Sequence, residues 1–136
     1  MAQYFNVSDR VCGLNANFWC LPFEENVLDR VCTHYGLDES GEIDTTIKEV
    51  SIVLKPNGKF IVIARKKPYD RHKIYMSLFD ITELECNQLL KKARLYSGFE
   101  DLVETAEKYC LFLVEHKMYE RETSHHRILY VFQKRI

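Results

Sequence analysis

Two short runs of β-branched and aromatic residues stand on either side of Asn57-Gly58 in the middle of the chain. The first run spans residues 50–54 and the second spans residues 60–64, and side chains of high β propensity alternate along both. Asn-Gly is the strongest short signal for a β-hairpin, because both residues tolerate the positive φ angles of a tight turn. The sequence therefore predicts that the two runs pair as antiparallel strands.

A third strand is expected over residues 73–79, after a loop rich in basic and aromatic residues. A fourth is expected at residues 127–134, where apolar side chains occur on both faces. Between them, Thr82 with Glu85 has the spacing of a capping box, in which each residue satisfies a backbone N–H group of the other. The central part of the chain is therefore predicted to be a sheet followed by helices.

Three amphipathic helices are predicted from apolar residues at intervals of three and four. The first covers residues 22–35 and is ended by Gly36, the second begins at the capping box, and the third covers residues 98–116. The second and third helices are expected to pack through one apolar stripe, formed by Leu89, Leu90, Phe99, Leu102, Val103 and Ala106.

These elements predict an α+β fold, an antiparallel sheet with helices packed on one side of it. The chain has 136 residues, of which 46% are hydrophobic, so it can build one ordinary core. We expect a single domain over residues 1–136.

The cysteines indicate a reducing compartment. Their number is odd, five, and no two have the CxxC spacing. Cys86 and Cys110 fall on the predicted helix stripes, so we expect both to be buried thiols and no disulfide to form. No secretory signal begins the chain and no apolar run is long enough to span a bilayer, which predicts an intracellular location, nuclear or cytoplasmic.

No motif in the chain indicates catalysis. The well-patterned thiols have no histidine partner, the five histidines lack the spacing of a zinc site, and the five glycines are isolated rather than gathered in a phosphate-binding loop. The sequence therefore predicts no catalytic residue, no metal site and no cofactor, and a protein that is not an enzyme.

The charge of the chain is unevenly distributed, although its formal net charge is only −1. Residues 48–73 contain eight Lys or Arg and two acids, whereas residues 24–44 contain seven acids and one Arg. A basic groove with aromatic rings is typical of single-stranded nucleic-acid binding. Lysines that protect a sheet edge from pairing would give the same pattern. The candidate nucleic-acid-binding residues are Lys59, Arg65, Lys66, Lys67, Tyr69, Arg71, Lys73 and Tyr75.

Three short motifs follow one another in residues 47–94: Gly58-Lys59, Ile63-Ala64-Arg65 and Lys73-Ile74-Tyr75-Met76-Ser77-Leu78. Through these motifs the segment resembles the positive cofactor four family, transcriptional coactivators that bind single-stranded DNA and are related in shape to the Whirly proteins. The resemblance implies a sheet that binds single-stranded DNA and a homodimer formed through the helix.

We therefore interpret the chain as a non-enzymatic single-stranded nucleic-acid-binding protein, a transcription or replication accessory factor of viral origin. The expected partners are single-stranded nucleic acid, a second copy of the chain and a further protein, with no membrane. A protein-interaction module, such as an inhibitor or adaptor, is the first alternative. A small enzyme of unknown chemistry, which would need a deep pocket with converging polar groups, is the second.

Overall fold

The computed structural model of the chain describes residues 8–39, 41–65, 69–93, 95, 98–119 and 127–136. Its strands are β1 (Leu28–His34), β2 (Leu54–Arg65), β3 (Leu111–Tyr119) and β4 (Arg127–Lys134). Its α-helices are α1 (Gly36–Glu39), α2 (Ile43–Val53), α3 (Tyr69–Phe79), α4 (Glu83–Lys92) and α5 (Phe99–Lys108), and a short 3-10 helix covers Ser8–Arg10.

The strands form one sheet in the order β1-β2-β4-β3. The β2–β4 and β4–β3 pairs are antiparallel, whereas β1 and β2 are parallel and are joined through α1 and α2. A parallel pair needs such a crossover, because the chain must return to the same end of the sheet. The predicted α+β class is confirmed, and the parallel pair at one edge is the feature that the sequence did not reveal.

The predicted hairpin is wrong. Residues 50–53 form the last turn of α2, and β2 is one continuous strand that begins directly after that turn. The first run is helical because its apolar residues continue a stripe with a spacing of three to four residues, which α2 buries against the sheet. The stripe consists of Ile43, Ile47, Val50 and Leu54, each at most 4% exposed.

Asn57-Gly58 forms an irregularity within β2 instead of a turn between strands. Leu54 of β2 pairs with Leu28 of β1, and the next pair is Lys59 with Arg30. Between these two pairs β2 advances by five residues, whereas β1 advances by only two. Asn57 has φ +66°, and a Cβ atom on Gly58 would lie 2.8 Å from the carbonyl oxygen of Lys55. Asn57-Gly58 therefore forms a β-bulge. A bulge favours residues that tolerate positive φ angles, as a hairpin turn does.

Three further boundaries differ from the predicted ones. Residues 73–79 belong to α3, in which Ile74 and Leu78 are one helical turn apart. Residues 28–34 form β1 instead of a helix, because backbone pairing with β2 overrides a helical spacing of apolar residues. Helix α5 ends at Lys108 and is followed by β3, whereas the strand predicted over residues 127–134 is confirmed.

The hydrophobic core is centred on β2 and β4, with buried side chains added from α2, α5 and the start of β3. Leu90, Leu102 and Ala106 from the predicted helix stripe are buried, but Leu89 is 47% exposed. The largest fully buried side chains are Tyr130, Phe60, Phe132, Leu37, Ile47, Leu54, Leu90, Leu102, Leu111, Val53 and Val62.

The carbonyl groups that end α2 are satisfied by residues distant in sequence. The N–H group of Asn26 donates to the carbonyl oxygen of Ile52, and that of Val27 donates to the carbonyl oxygen of Val53. Both N···O distances are 3.0 Å. Because the last four carbonyls of a helix lack partners within it, these bonds replace a conventional cap.

Lys134 completes the same junction from the end of β4. Its Nζ donates to the carbonyl oxygens of Ser51 at 2.6 Å and Leu54 at 2.7 Å, and to Oδ1 of Asn26 at 2.9 Å. A positive charge at a helix C-terminus also interacts favourably with the helix dipole. One ammonium group therefore connects α2, β2, β4 and the residues that precede β1.

All five cysteines are free thiols, as predicted. Cys86 is buried, and burial, with a smaller contribution from the Glu83 carboxylate, raises the pKa of its thiol. The predicted burial of Cys110 is wrong, because α5 ends before it and the chain turns there with φ +62°. Among the described residues, no helix combines the length and the apolar composition that a bilayer crossing requires.

We predict that Lys134→Met lowers the free energy of unfolding by about 1.5–3 kcal/mol, since hydrogen bonds to a charged group contribute that much. Chemical denaturation followed by circular dichroism measures the change. Lys92→Met removes an exposed lysine from α4 and should leave the midpoint in place. Equal midpoints for both variants would mean that the junction does not depend on the ammonium group.

Leu102→Ala should cost about 2–5 kcal/mol, because truncation of a buried leucine loses transfer free energy and leaves a cavity. Leu89→Ala is the matched control, since Leu89 on α4 is 47% exposed. An unchanged denaturation midpoint for Leu102→Ala would show that α5 does not pack in the core.

Thiol labelling of the native protein should distinguish two cysteines. Cys110 is expected to react quickly and Cys86 slowly, because Cys86 is buried and its raised pKa keeps it protonated. Mass spectrometry of Cys86→Ala and Cys110→Ala variants assigns the two rates, and a faster reaction at Cys86 would contradict the burial of α4.

Candidate functional site

A group of three side chains lies where the parallel strands β1 and β2 end. The rings of His34 and Tyr35 are stacked with centroids 4.4 Å apart, and the Arg127 guanidinium lies 5.4 Å from the centroid of the Tyr35 ring. Arg127 begins β4 opposite Arg65, the last residue of β2. We call His34, Tyr35 and Arg127 the strand-end cluster.

The backbone at Tyr35 has an uncommon conformation. Its φ is +61°, which is rare for a bulky residue. Its N–H group donates to the carbonyl oxygen of Ile63, with an N···O distance of 2.8 Å. The next residue, Gly36, lies close to the Thr33 side chain, because a Cβ atom on it would lie 2.4 Å from Oγ1 of Thr33. The chain is therefore held in a sharp turn at the end of β1, and strained backbone of this kind occurs frequently at ligand sites.

The strand-end cluster has the chemistry of a binding site as well as the position of one. Ligands of open sheets with parallel strands bind outside the carboxyl ends of those strands. The imidazole of His34 can donate and accept hydrogen bonds, Tyr35 carries a hydroxyl on a flat ring, and Arg127 presents a permanent positive charge. The arrangement suits a ligand with a flat ring and oxygen atoms.

An apolar cavity of about 130 Å³ lies beside β1 and α2. Leu21 lines one side of this cavity. Its N–H group donates to Oε2 of Glu49, with an N···O distance of 3.0 Å. The cavity is large enough for one small ring but smaller than the sites that bind whole cofactors. It is lined by Phe18, Leu21, Val31, Cys32, Thr33, Gly36, Leu37, Thr46, Val50 and Phe60.

A polar cleft of about 440 Å³ separates α2 from α4 and α5. Its Asp44 carboxylate accepts hydrogen bonds from Nζ of Lys108, at 2.9 Å, and from the hydroxyl of Tyr109. These bonds join α2 to α5, so we assign Asp44 a structural role. Among the described residues, no group of three or more histidine, cysteine, aspartate or glutamate side chains is placed to hold a metal ion.

The structure does not assemble the predicted basic residues on one sheet face. Lys59 and Arg65 are six positions apart on β2, which is about 20 Å along a strand. Tyr69, Arg71, Lys73 and Tyr75 belong to α3. Lys66 and Lys67 lie outside the described residues, and a ligand role for any of these eight side chains stays a prediction.

The strand-end cluster was missed in the sequence because its members were assigned to other elements. The sequence pattern predicts Tyr35 at the end of a helix over residues 22–35, and Arg127 at the start of a strand over residues 127–134. The usable signal was the Tyr35-Gly36 pair, which suits a sharp turn after a strand as well as it suits the end of a helix.

Solved structures of a methyltransferase and of a cyclase share this fold. Geranyl diphosphate C-methyltransferase from Streptomyces coelicolor A3(2) superposes with a TM-score of 0.69, at 10% identity, over 98% of this chain and 57% of its own. The cyclase SpnF gives 0.72, at 16% identity, over 99% of this chain and 60% of its own. Likeness at these identities shows the fold alone.

The sequence itself is similar to curated methyltransferases. The ubiquinone/menaquinone biosynthesis C-methyltransferase of Shewanella sp. (strain W3-18-1) is 31% identical over 75 residues, which are 55% of this chain. The matched part is 29% of that relative's length, so the chain spans well under half of the curated proteins that it matches.

A sequence model of the ubiE/COQ5 methyltransferase family matches residues 4–107, which is 104 of the 136 residues. This match overturns the resemblance to positive cofactor four. It also overturns the expected DNA binding, the expected role in transcription, the viral origin and single-stranded nucleic acid as the partner. The interpretation as a non-enzymatic protein is also wrong, and the alternative of a small enzyme agrees better with the match. The chain belongs to the ubiE/COQ5 methyltransferase family.

Proposed function

We propose that this chain takes part in transferring a methyl group from S-adenosylmethionine to a carbon atom of a quinone precursor. The observation that carries the proposal is the family match over residues 4–107. The curated relatives named for ubiquinone and menaquinone biosynthesis support the acceptor class. The solved geranyl diphosphate methyltransferase, which holds S-adenosyl-L-homocysteine, supports the donor class.

The apolar cavity beside β1 is not by itself a complete site for such a donor. Pockets that bury a ligand of this size have volumes of about 300–1,000 Å³. The apolar cavity beside β1 has about 130 Å³ and is lined mainly by apolar groups. It fits a flat apolar part of the donor, and it offers no carboxylate for a ribose or an amino group. The apolar cavity alone therefore does not account for binding of the whole donor.

The acceptor is the ligand that the strand-end cluster suits. A quinone precursor is a flat ring that carries oxygen atoms, and such a ring can stack on the exposed His34 side chain. The Arg127 guanidinium lies 5.4 Å from the Tyr35 ring and can stabilise negative charge on an acceptor oxygen. In this proposal the cluster binds and orients the acceptor.

The proposal is tested by calorimetry and by a methyl-transfer assay. S-adenosylmethionine is titrated into the chain, and transfer of a radioactive methyl group to a water-soluble demethylated quinol is followed. We expect heat of binding and a labelled product. An absence of both, with the chain folded by circular dichroism, would overturn the proposal.

Arg127→Met should lower kcat/KM for the quinol about tenfold, since a lost charge contact of ~1.4 kcal/mol corresponds to that factor. Arg135→Met is the matched control, because the Arg135 guanidinium lies 5.3 Å from the Phe112 ring at the opposite end of the sheet. Equal losses in the two variants would show that the cluster does not contact the acceptor.

A further inference from the structure

Strand β3 forms one edge of the sheet and is exposed along most of its length. Among the described strands it pairs with β4 alone. Every residue from Val114 to Tyr119 is exposed, so side chains on both faces of this part of the strand reach solvent. An edge strand presents a row of backbone N–H and C=O groups that can pair with another strand.

A bulge separates the exposed part of β3 from the part that belongs to the core. The register with β4 shifts between Leu113 and Glu115, whereas Leu111 before the bulge is fully buried. After the bulge, β3 pairs with β4 residue for residue from Glu115 to Tyr119. The exposed part is therefore a regular strand, with Val114 leading into it. We call residues 114–118 the β3 edge segment.

The β3 edge segment is complementary to itself when it is read in the opposite direction. Its sequence is Val-Glu-His-Lys-Met. A second copy, antiparallel and related by a twofold axis at His116, would place its Lys117 opposite Glu115. It would also place its Met118 opposite Val114, and these two apolar residues are 42% and 43% exposed. Residues directly opposite each other lie on the same face, so the contact would hold two opposite-charge pairs and two apolar pairs.

Other registers between the same two strands lose this match. A shift of one residue places Lys117 opposite His116 in one direction and opposite Val114 in the other. A shift of two residues places Lys117 or Glu115 opposite itself, and like charges that face each other across a ladder are destabilising. A lysine on an edge strand normally discourages pairing. Here it disfavours the other registers and so favours one specific partner.

We propose that two copies of the chain pair antiparallel through the β3 edge segment, with the twofold axis at His116. The two four-stranded sheets would then form one continuous sheet. Such a contact uses the same patch on both copies, so it closes at a dimer. It differs from the homodimer that the positive cofactor four resemblance implied, which was formed through a helix. It is also independent of the proposed methyl transfer.

The opposite edge of the sheet is a less suitable partner for β3. Strand β1 carries Asp29, whose carboxylate already accepts a hydrogen bond from Nζ of Lys55 at 3.1 Å. A contact between β3 of one copy and β1 of the next would also be head-to-tail, and such contacts build rings or open filaments instead of dimers. The two arrangements therefore differ in the size of the assembly.

Analytical ultracentrifugation of the full chain over a range of concentrations tests the contact. We expect a reversible equilibrium between monomer and dimer. K117E turns both opposite-charge pairs into like-charge pairs, so the dissociation constant of the dimer should rise by about tenfold or more, and E115K should act in the same way. K92E reverses an exposed lysine on α4 and is the matched control, with an unchanged dissociation constant. A monomer at every concentration, assemblies larger than a dimer, or equal constants for K117E and K92E would overturn the proposal.

Mixing the two single variants separates pairing between copies from an effect inside one chain. A dimer of one E115K copy and one K117E copy has opposite charges at both facing positions, although each variant alone has like charges there. We expect K117E to be retained by affinity-tagged E115K, and the double variant E115K/K117E to recover the dissociation constant of the wild type. Circular dichroism should show the same fold for all variants. Failure of both the mixture and the double variant to recover pairing would show that these residues act within one chain, and would reject the dimer.

Discussion

The direct junction between α2 and β2 is the constraint on which the rest of the sheet depends. Helix α2 ends at Val53 and β2 begins at Leu54, with no loop between them. A helix that ends inside a protein leaves carbonyl groups that must find donors. Here Asn26, Val27 and Lys134 supply them. The start of β1 and the end of β4 are thus both tied to the α2–β2 junction, and these two strands flank β2 in the sheet.

The parts of the fold that the sequence predicted depend on strong local signals. The capping box of Thr82 and Glu85 is formed as predicted. The Glu85 N–H group donates to Oγ1 of Thr82, with an N···O distance of 3.2 Å. The strand over residues 127–134 was also recognised, because its apolar residues occupy both faces, which is typical of a central strand. Propensity and packing agree at these places, so single-sequence reasoning succeeds.

The failures occur where one pattern serves two structures. Asn57-Gly58 allows positive φ in a bulge as readily as in a turn. Residues 28–34 have helical spacing but form a strand that parallel pairing stabilises. Parallel pairing depends on a partner distant in sequence, so no local window reveals it. The strand-end cluster was invisible for the same reason, since His34 and Arg127 become neighbours only after β1, β2 and β4 have assembled.

The Lys134 contact has a consequence for the order in which the chain can fold. Nζ of Lys134 reaches Oδ1 of Asn26 across 108 positions of sequence. Contacts of such long range are entropically expensive to close and slow the search for the native state. During synthesis, α2 and the first strand leave the ribosome well before this ammonium group exists. Their junction therefore stays incomplete until β4 is made, and stable assembly of the sheet must await the arrival of its last strand.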